Sequence, residues 1–471
     1  MARNPGLSVI EGPPSSPENV GGMPLDYVDN VRVRSYGVDI SLNLKAGLFQ
    51  GVVKISMIVS DNRRFFYLHS TGLRIFWATI GGVYAGAFHL SDSVTKFELP
   101  VNSGIGPGQI TVEVSFEGDI KTDELEGLYM VKGAKGSSAG SAALGETDNS
   151  MEEVRGRGWS GMIEGFGEGF INMEKTESGK DDIMVGTHLE PTHCRKVFPC
   201  LDMPSRKAVF QLTLCGIPVG LDAISNTPVL SVSREDDPRW QAGGGGQQSH
   251  RNTVDGGGNG LKTVAFHPTP VMSTYVLGFW VCDFQTLSTL ALSLPKDGNS
   301  EDLPQHSASS SVLLEREPEP VKISVHLPTG VDLGGGHFAL QYARRAFELF
   351  SRLFLVRFPL PKLDLLCLPR MHGLGMENFG AITILQEYFL VTPETEFVRR
   401  RRIVRLLCHE ICHQWYGDIV TPQSFDELWL KEGLARFFEC VAVDTLDSDS
   451  TYHIWTNFMS EVYFQAMLVS K

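Results

Sequence analysis

No stretch of this chain stays apolar long enough to span a bilayer, so neither a membrane-crossing helix nor membrane association is expected. Residues 1–22 are rich in proline, glycine and serine. They lack both the apolar core of a secretory signal and the arginine-rich amphipathic pattern of a mitochondrial presequence, and read as a disordered tail. The eight cysteines are scattered without the spacing of a secreted disulfide framework, which makes a reducing, cytoplasmic setting the expectation. Cys194 and Cys200 can pair only if the fold brings them together. Positive charge is also short: 41 basic against 55 acidic residues leave a formal charge of −14, which repels phosphate backbones and argues against a nucleic-acid partner. One basic run exists, Arg399 to Arg402 with Arg405, and with no second cluster it reads as a solvated helix face. Gly165-Phe166-Gly167-Glu168-Gly169 lacks the full spacing of a nucleotide-binding loop, and no convincing helix follows it.

What is present is enough chain for more than one domain. Val38, Ile40, Leu42 and Leu44 alternate with smaller or polar residues, as do Val53, Ile55, Met57 and Val59, and Ile110, Val112, Val114 and Phe116. Such period-two segments predict antiparallel strands with one buried face. Segments near 133–180, 236–260 and 288–320 carry glycine, serine and acids without periodicity and read as surface insertions. From Val321 the pattern changes. Val321, Ile323, Val325 and Leu327 predict a strand, Leu340, Ala343, Phe347 and Phe350 a helical stripe, and Leu363, Leu365 and Cys367 another strand. Ala381 to Leu385 is expected at a sheet edge. The predicted division is therefore a tail over 1–22, a β domain over 23–320 with those three insertions, and an α/β domain over 321–471.

The densest chemistry lies in His409-Glu410-Ile411-Cys412-His413, with Glu432 nineteen residues beyond the second histidine. Positions i and i+4 share a helix face, so two imidazoles at that spacing can aim at one tetrahedral metal. Glu410 is rotated about 100° from His409, beside the metal rather than on it, where a carboxylate can act as general base. Glu432 supplies a third ligand and leaves one position open, the pattern of a catalytic rather than a structural zinc. A chance HExxH string on an ordinary helix is the bland alternative, and the third carboxylate in its own helical segment weighs against it. That segment is predicted over 426–443, with Leu428, Leu434, Ala435, Phe438 and Val441 as packing positions. Glu439, two turns after Glu432, can hydrogen-bond a ligand imidazole from behind. The first helix is predicted to start with Thr392 as cap and Pro393 at its first position, and to bury Val404, Leu407, Ile411 and Trp415.

Further blocks occur upstream in order. Gly375-Met376-Glu377-Asn378 is followed by Phe379-Gly380; Glu190-Pro191-Thr192-His193-Cys194-Arg195 runs on to Phe198-Pro199-Cys200-Leu201-Asp202-Met203-Pro204; and Thr269-Pro270-Val271-Met272-Ser273-Thr274-Tyr275 lies between them. Together with the zinc motif, these blocks resemble the gluzincin aminopeptidases, the family of alanyl and puromycin-sensitive aminopeptidases and the leukotriene-epoxide hydrolase. The resemblance implies an N-terminal antiparallel β-saddle domain followed by a thermolysin-like catalytic domain, and one zinc ion per chain. It also implies hydrolysis of peptides that carry a free N-terminus. Glu377 and Glu190 would hold the terminal ammonium, and the backbone around Gly375 and Met376, with Asn378, would align the substrate.

Departures from the family pattern are specific. Leu374 replaces a glycine, and His188 stands where a glutamine usually lines the side-chain pocket. Lys431 replaces an asparagine beside the third ligand, where a cation can shift metal affinity. Cys408 and Cys412 stand where alanine is common. They read as small buried residues, with metal competition or oxidation as the alternative. The family's oxyanion tyrosine is expected beyond Lys471, because Tyr452 and Tyr463 come too early and Tyr416 occupies an aromatic position of another role. The catalytic domain is accordingly expected to be incomplete at its C-terminus. A catalytically weak zinc- and peptide-binding protein, or epoxide hydrolysis on the same zinc, remain as rival readings.

Overall fold

The computed structural model describes residues 19–20, 22–133, 183–234, 260–293, 319–447 and 451–463. Nearly all of the expected tail, most of each expected insertion and the Gly165 loop lie outside the described residues.

A ten-stranded sheet forms the first part. Its spatial order is Val229–Arg234, Leu261–Phe266, Val209–Pro218, Val31–Asn43, Leu48–Val59, Gly108–Asp119, Arg74–Ile80, Val83–His89, Val94–Glu98 and Phe65–His69. The three long alternating segments sit side by side at its centre. Ile55 faces Val112 on one neighbour and Tyr36 on the other. Val38, Ile40, Val53, Ile55, Met57, Val112, Val114 and Phe116 are all buried, and the residues between them turn outward, because successive side chains of a strand point to opposite faces. The expectation of an antiparallel domain needs one correction: Val209–Pro218 runs parallel to Val31–Asn43. A parallel neighbour requires a crossover, and the chain between them travels through a second, four-stranded antiparallel sheet. The order there is Gly127–Lys132, Ile183–His188, Phe279–Cys282, Asp222–Ser225, and it places Glu190 just past a strand end.

The third sheet is mixed, ordered Phe284–Ser293, Glu319–Pro328, Lys362–Leu368, Ala381–Leu385, Gly375–Met376. Lys362–Leu368 lies between two parallel partners and is buried along its whole length, as a central parallel strand should be. Two expectations are corrected. Residues 288–293, assigned to an insertion, are strand: Phe284–Ser293 pairs in full register with Glu319–Pro328, so this sheet begins ahead of residue 321. Ala381–Leu385 is interior, and the edge is the two-residue strand Gly375–Met376.

Helix Gly336–Phe354 lies on this sheet through Ala339, Leu340, Ala343, Phe347 and Phe350. Phe347, Phe350 and Phe354 surround Trp415, whose indole N–H donates to Val356 O at 2.8 Å. The next helix runs Phe397–His413, later than predicted, with Glu396 rather than Thr392 preceding it. Thr395 Oγ1 accepts the Thr392 N–H at 2.8 Å, and this local side-chain bond makes a turn where a helix was expected. The expected stripe of Val404, Leu407, Ile411 and Trp415 is buried. The arginine run divides: Arg399 and Arg402 are exposed, but Arg405 is buried and corrects the reading of a wholly solvated face.

Candidate active site

The Phe397–His413 helix packs against a second helix, Leu428–Leu446. The buried face of the second helix is Lys431, Ala435, Glu439, Cys440, Ala442 and Val443, whereas the predicted packing residue Leu434 is 38% exposed. Of the predicted packing positions only Ala435 is fully buried, and the charged Lys431 and Glu439 share its face because that face meets a polar site.

His409 and His413 stand one turn apart with ring planes at 85° and their Nε2 atoms 3.0 Å apart. Glu432 Oε2 lies 3.3 Å from the first Nε2 and 3.6 Å from the second. The outer nitrogens are both engaged. His409 Nδ1 donates to Glu439 Oε2 at 3.0 Å, and His413 Nδ1 donates to the Tyr416 carbonyl at 2.8 Å. With each proton held on Nδ1, two Nε2 lone pairs and a carboxylate oxygen converge. Ligands about 2.0–2.1 Å from a tetrahedral zinc stand about 3.3 Å from one another, so the three atoms are spaced to hold it. Burial opposes charge on His409, but the bonds from Glu432 and Glu439 outweigh it and push its pKa up to about 10. The site holds a proton tightly when no metal replaces it. Glu439 is itself held by Arg405 at 2.9 Å and Arg436 at 2.6 Å, which fixes the carboxylate behind His409.

Glu410 points the other way along the helix, toward the edge strand. A Cβ on Gly375 would stand 2.2 Å from Glu410 Oε1, so only glycine admits the carboxylate there. Glu410 Oε2 is buried and has no hydrogen-bond partner. Burial, with Glu377 and Glu432 nearby, raises its pKa to about 8. A carboxyl poised near neutrality and without a protein partner is suited to take and return a proton.

Glu190 and Glu377 come together as expected, but a cation already lies between them. Lys431 Nζ is 2.6 Å from Glu190 Oε1 and 3.0 Å from Glu432 Oε1, and it also contacts Glu377 Oε1. The Tyr275 ring covers it at 5.2 Å, and the Tyr275 hydroxyl donates to Gly417 O at 2.9 Å. Burial disfavours the lysine charge, yet the three carboxylates outweigh that and raise its pKa. Glu190, partly buried and beside Glu377, is pushed up to about 7. Met376 is buried in the edge strand, and Asn378 is fully buried beside Gly278 rather than at the surface of the cluster.

Three supports escaped the sequence reading. Gln414 accepts the Gly380 N–H at 2.8 Å and donates to Glu377 O at 3.1 Å, tying the loop after the edge strand to the metal helix. Asn226 donates to both Val276 O and Phe379 O, at 2.8 and 2.9 Å. Lys207 donates to Asp418 O and Ile419 O, both at 2.9 Å. Each is a side chain bonding to backbone far away in sequence, which no local pattern announces. Cys408 and Cys412 are buried free thiols, and burial raises both far from reactivity. Cys194 and Cys200 do come together, as free thiols beside Asp202.

A mixed sheet with an HExxH helix crossed by a glutamate-bearing helix defines the gluzincin class of metallopeptidase folds. Residues 338–470 match the Peptidase family M1 domain, and residues 158–242 match the Peptidase M1 N-terminal domain. Among similar proteins, the thyrotropin-releasing hormone-degrading ectoenzyme of Mus musculus is 30% identical over 316 residues, 66% of this chain and 25% of that protein. Aminopeptidase N of Rattus norvegicus is 29% identical over 279 residues, 59% and 24% of the two chains. Leucyl aminopeptidase of Saccharolobus solfataricus is 27% identical over 352 residues, 74% and 38%. The chain belongs to the peptidase M1 family, with an M1 N-terminal β-sheet domain followed by part of the catalytic domain. It spans about a quarter of the length of the first of these relatives.

Proposed function

We propose that this protein is a zinc aminopeptidase that removes the N-terminal residue of peptides. The observation that carries the reading is the convergence of His409 Nε2, His413 Nε2 and Glu432 Oε2 beside an unpartnered Glu410 carboxylate. Zinc bound by that trio would supply Lewis acidity toward the scissile carbonyl. Glu410 accepts a proton from the attacking water at its free Oε2 and returns it to the leaving amine. Gly375 and Met376, on the open edge of the sheet, align the peptide backbone as an added strand. Glu190 and Glu377 mark where the chain end stops, and a blocked end is what turns a peptidase into one that removes a single residue. The free cysteines suit a reducing compartment and support a cytoplasmic assignment. Among the described residues no helix is long and apolar enough to cross a membrane.

The test is zinc stoichiometry by atomic emission together with hydrolysis of a panel of peptides cleaved only at their first bond. One zinc per chain with first-bond cleavage supports the proposal. One zinc without cleavage favours a binding protein, and turnover of a lipid epoxide alone favours the hydrolase reading.

A further inference from the structure

We propose that the Lys431 ammonium stands in a latent second cation site and, by filling that position, keeps the metal centre to a single ion. The inference concerns which cations the cluster admits, and so goes beyond the peptidase reading. Oxygens of Glu190, Glu377 and Glu432 lie within 4.8 Å of one another. Two oxygens on opposite sides of a calcium-sized ion, each about 2.3–2.6 Å from it, stand about 4.6–5.2 Å apart, so three acids with this spread are close enough to share one hard cation. The position already holds a cation. Lys431 Nζ is 2.6 Å from Glu190 Oε1, 3.0 Å from Glu432 Oε1 and in contact with Glu377 Oε1. The Tyr275 ring covers it at 5.2 Å, and only 2% of the residue is exposed.

Glu432 belongs to both constellations. Its Oε2 faces His409 and His413, at 3.3 and 3.6 Å, while its Oε1 faces Lys431. A carboxylate that offers one oxygen to each of two cations is the bridge of a two-metal centre, whose ions stand about 3.5–4 Å apart. Lys431 takes the place of the second ion and leaves Glu432 one oxygen for the zinc. Exclusion works by occupancy rather than by charge balance. One ammonium offsets one of the three carboxylate charges, and the negative charge that remains still favours a cationic chain end at Glu190 and Glu377. What the ammonium removes is the space: it has three hydrogens, one for an oxygen of each acid, and a metal ion would have to displace it from the point where those oxygens converge.

The experiment counts metal. The zinc-loaded full chain is titrated with Mn²⁺, which suits carboxylate ligands and binds too weakly to displace zinc from histidines. Bound manganese is read from the loss of the free-ion signal in electron paramagnetic resonance. Lys431→Ala should bind one Mn²⁺ per chain more than the parent, and adding Glu190→Gln should weaken that binding at least about tenfold, because affinity at such sites follows the number of charged ligands. Equal manganese counts in parent and Lys431→Ala would overturn the inference. So would an extra ion indifferent to Glu190→Gln, which is an adventitious ion only. If Lys431→Ala does not fold, the parent decides: manganese uptake that Glu190→Gln abolishes would place an ion in the cluster beside Lys431 and sink the idea, whereas no such uptake supports it. Peptide cleavage is read separately. A parent with one zinc and no cleavage fails the peptidase reading and leaves the manganese counts to decide the role of Lys431.

Discussion

The ten-stranded sheet and the crossed helices bury opposite kinds of side chain. Along Val31–Asn43, Leu48–Val59 and Gly108–Asp119 the interior is valine, isoleucine, leucine, methionine, phenylalanine and Tyr36, each contributing by leaving water. Between Phe397–His413 and Leu428–Leu446 the interior includes Arg405, Glu410, His413, Lys431 and Glu439, groups that are costly to bury unless each finds a partner. The sheet tolerates exchange among apolar residues of similar volume. The helix pair does not, because its members depend on particular partners: Arg405 on Glu439, His409 on Glu439, and Lys431 on three carboxylates. A stable apolar half carries a polar half organised for chemistry.

That contrast can be broken by substitution. Glu410→Gln should lower turnover about 10²–10⁴-fold while zinc content and melting temperature stay near those of the parent; steady-state kinetics and metal analysis read the two separately. Unchanged turnover would remove Glu410 from the role of base. Phe116→Ala, in the sheet core, should cost about 3–5 kcal/mol in urea unfolding and leave zinc affinity unaltered in the fraction that stays folded. A loss of zinc affinity there would mean that the two regions are coupled. Glu439→Gln should weaken zinc about 10–100-fold in chelator competition, because it loosens the imidazole it orients and leaves Arg405 short of a partner.

A pH series sharpens the same comparison more gently. Burial raises Glu410 from 4.5 to about 8, and against its own burial Glu432 and Glu439 raise His409 from 6.5 to about 10. Both groups therefore hold protons in the metal-free native state that the unfolded chain has released. Their contribution is fully present below the unfolded values and is lost as pH rises through the folded ones, so metal-free stability should decline from pH 4.5 toward pH 10. Zinc must displace the His409 proton, so its affinity should rise with pH over the neutral range. Calorimetry in buffers of different ionisation enthalpy would register the released proton. A pH-independent affinity would contradict the assignment.

The alternation that built the sheet was legible because period two is a local property and each strand carries it alone. The candidate metal trio was legible for a related reason, since i, i+4 spacing on one helix already brings its two histidines together. Other features had only a tertiary signature. Residues 288–293 looked like the start of an insertion because the partner of strand Phe284–Ser293, Glu319–Pro328, lies beyond residues with no periodicity. Arg405 looked solvated because its acid is on another helix.

Lys431 marks the boundary between the two kinds of information. The chain itself determined that a lysine stands beside the third ligand, that two upstream glutamates belong to the site, and that the sheet alternates. Only the folded arrangement decided that Glu190, from the end of a small sheet, Glu377, from the edge of another, and Glu432, from the lysine's own helix, close around its ammonium. Contacts across such separations depend on where whole elements pack. A charge seeks whatever opposite charge the packing brings near, not what lies near it in sequence.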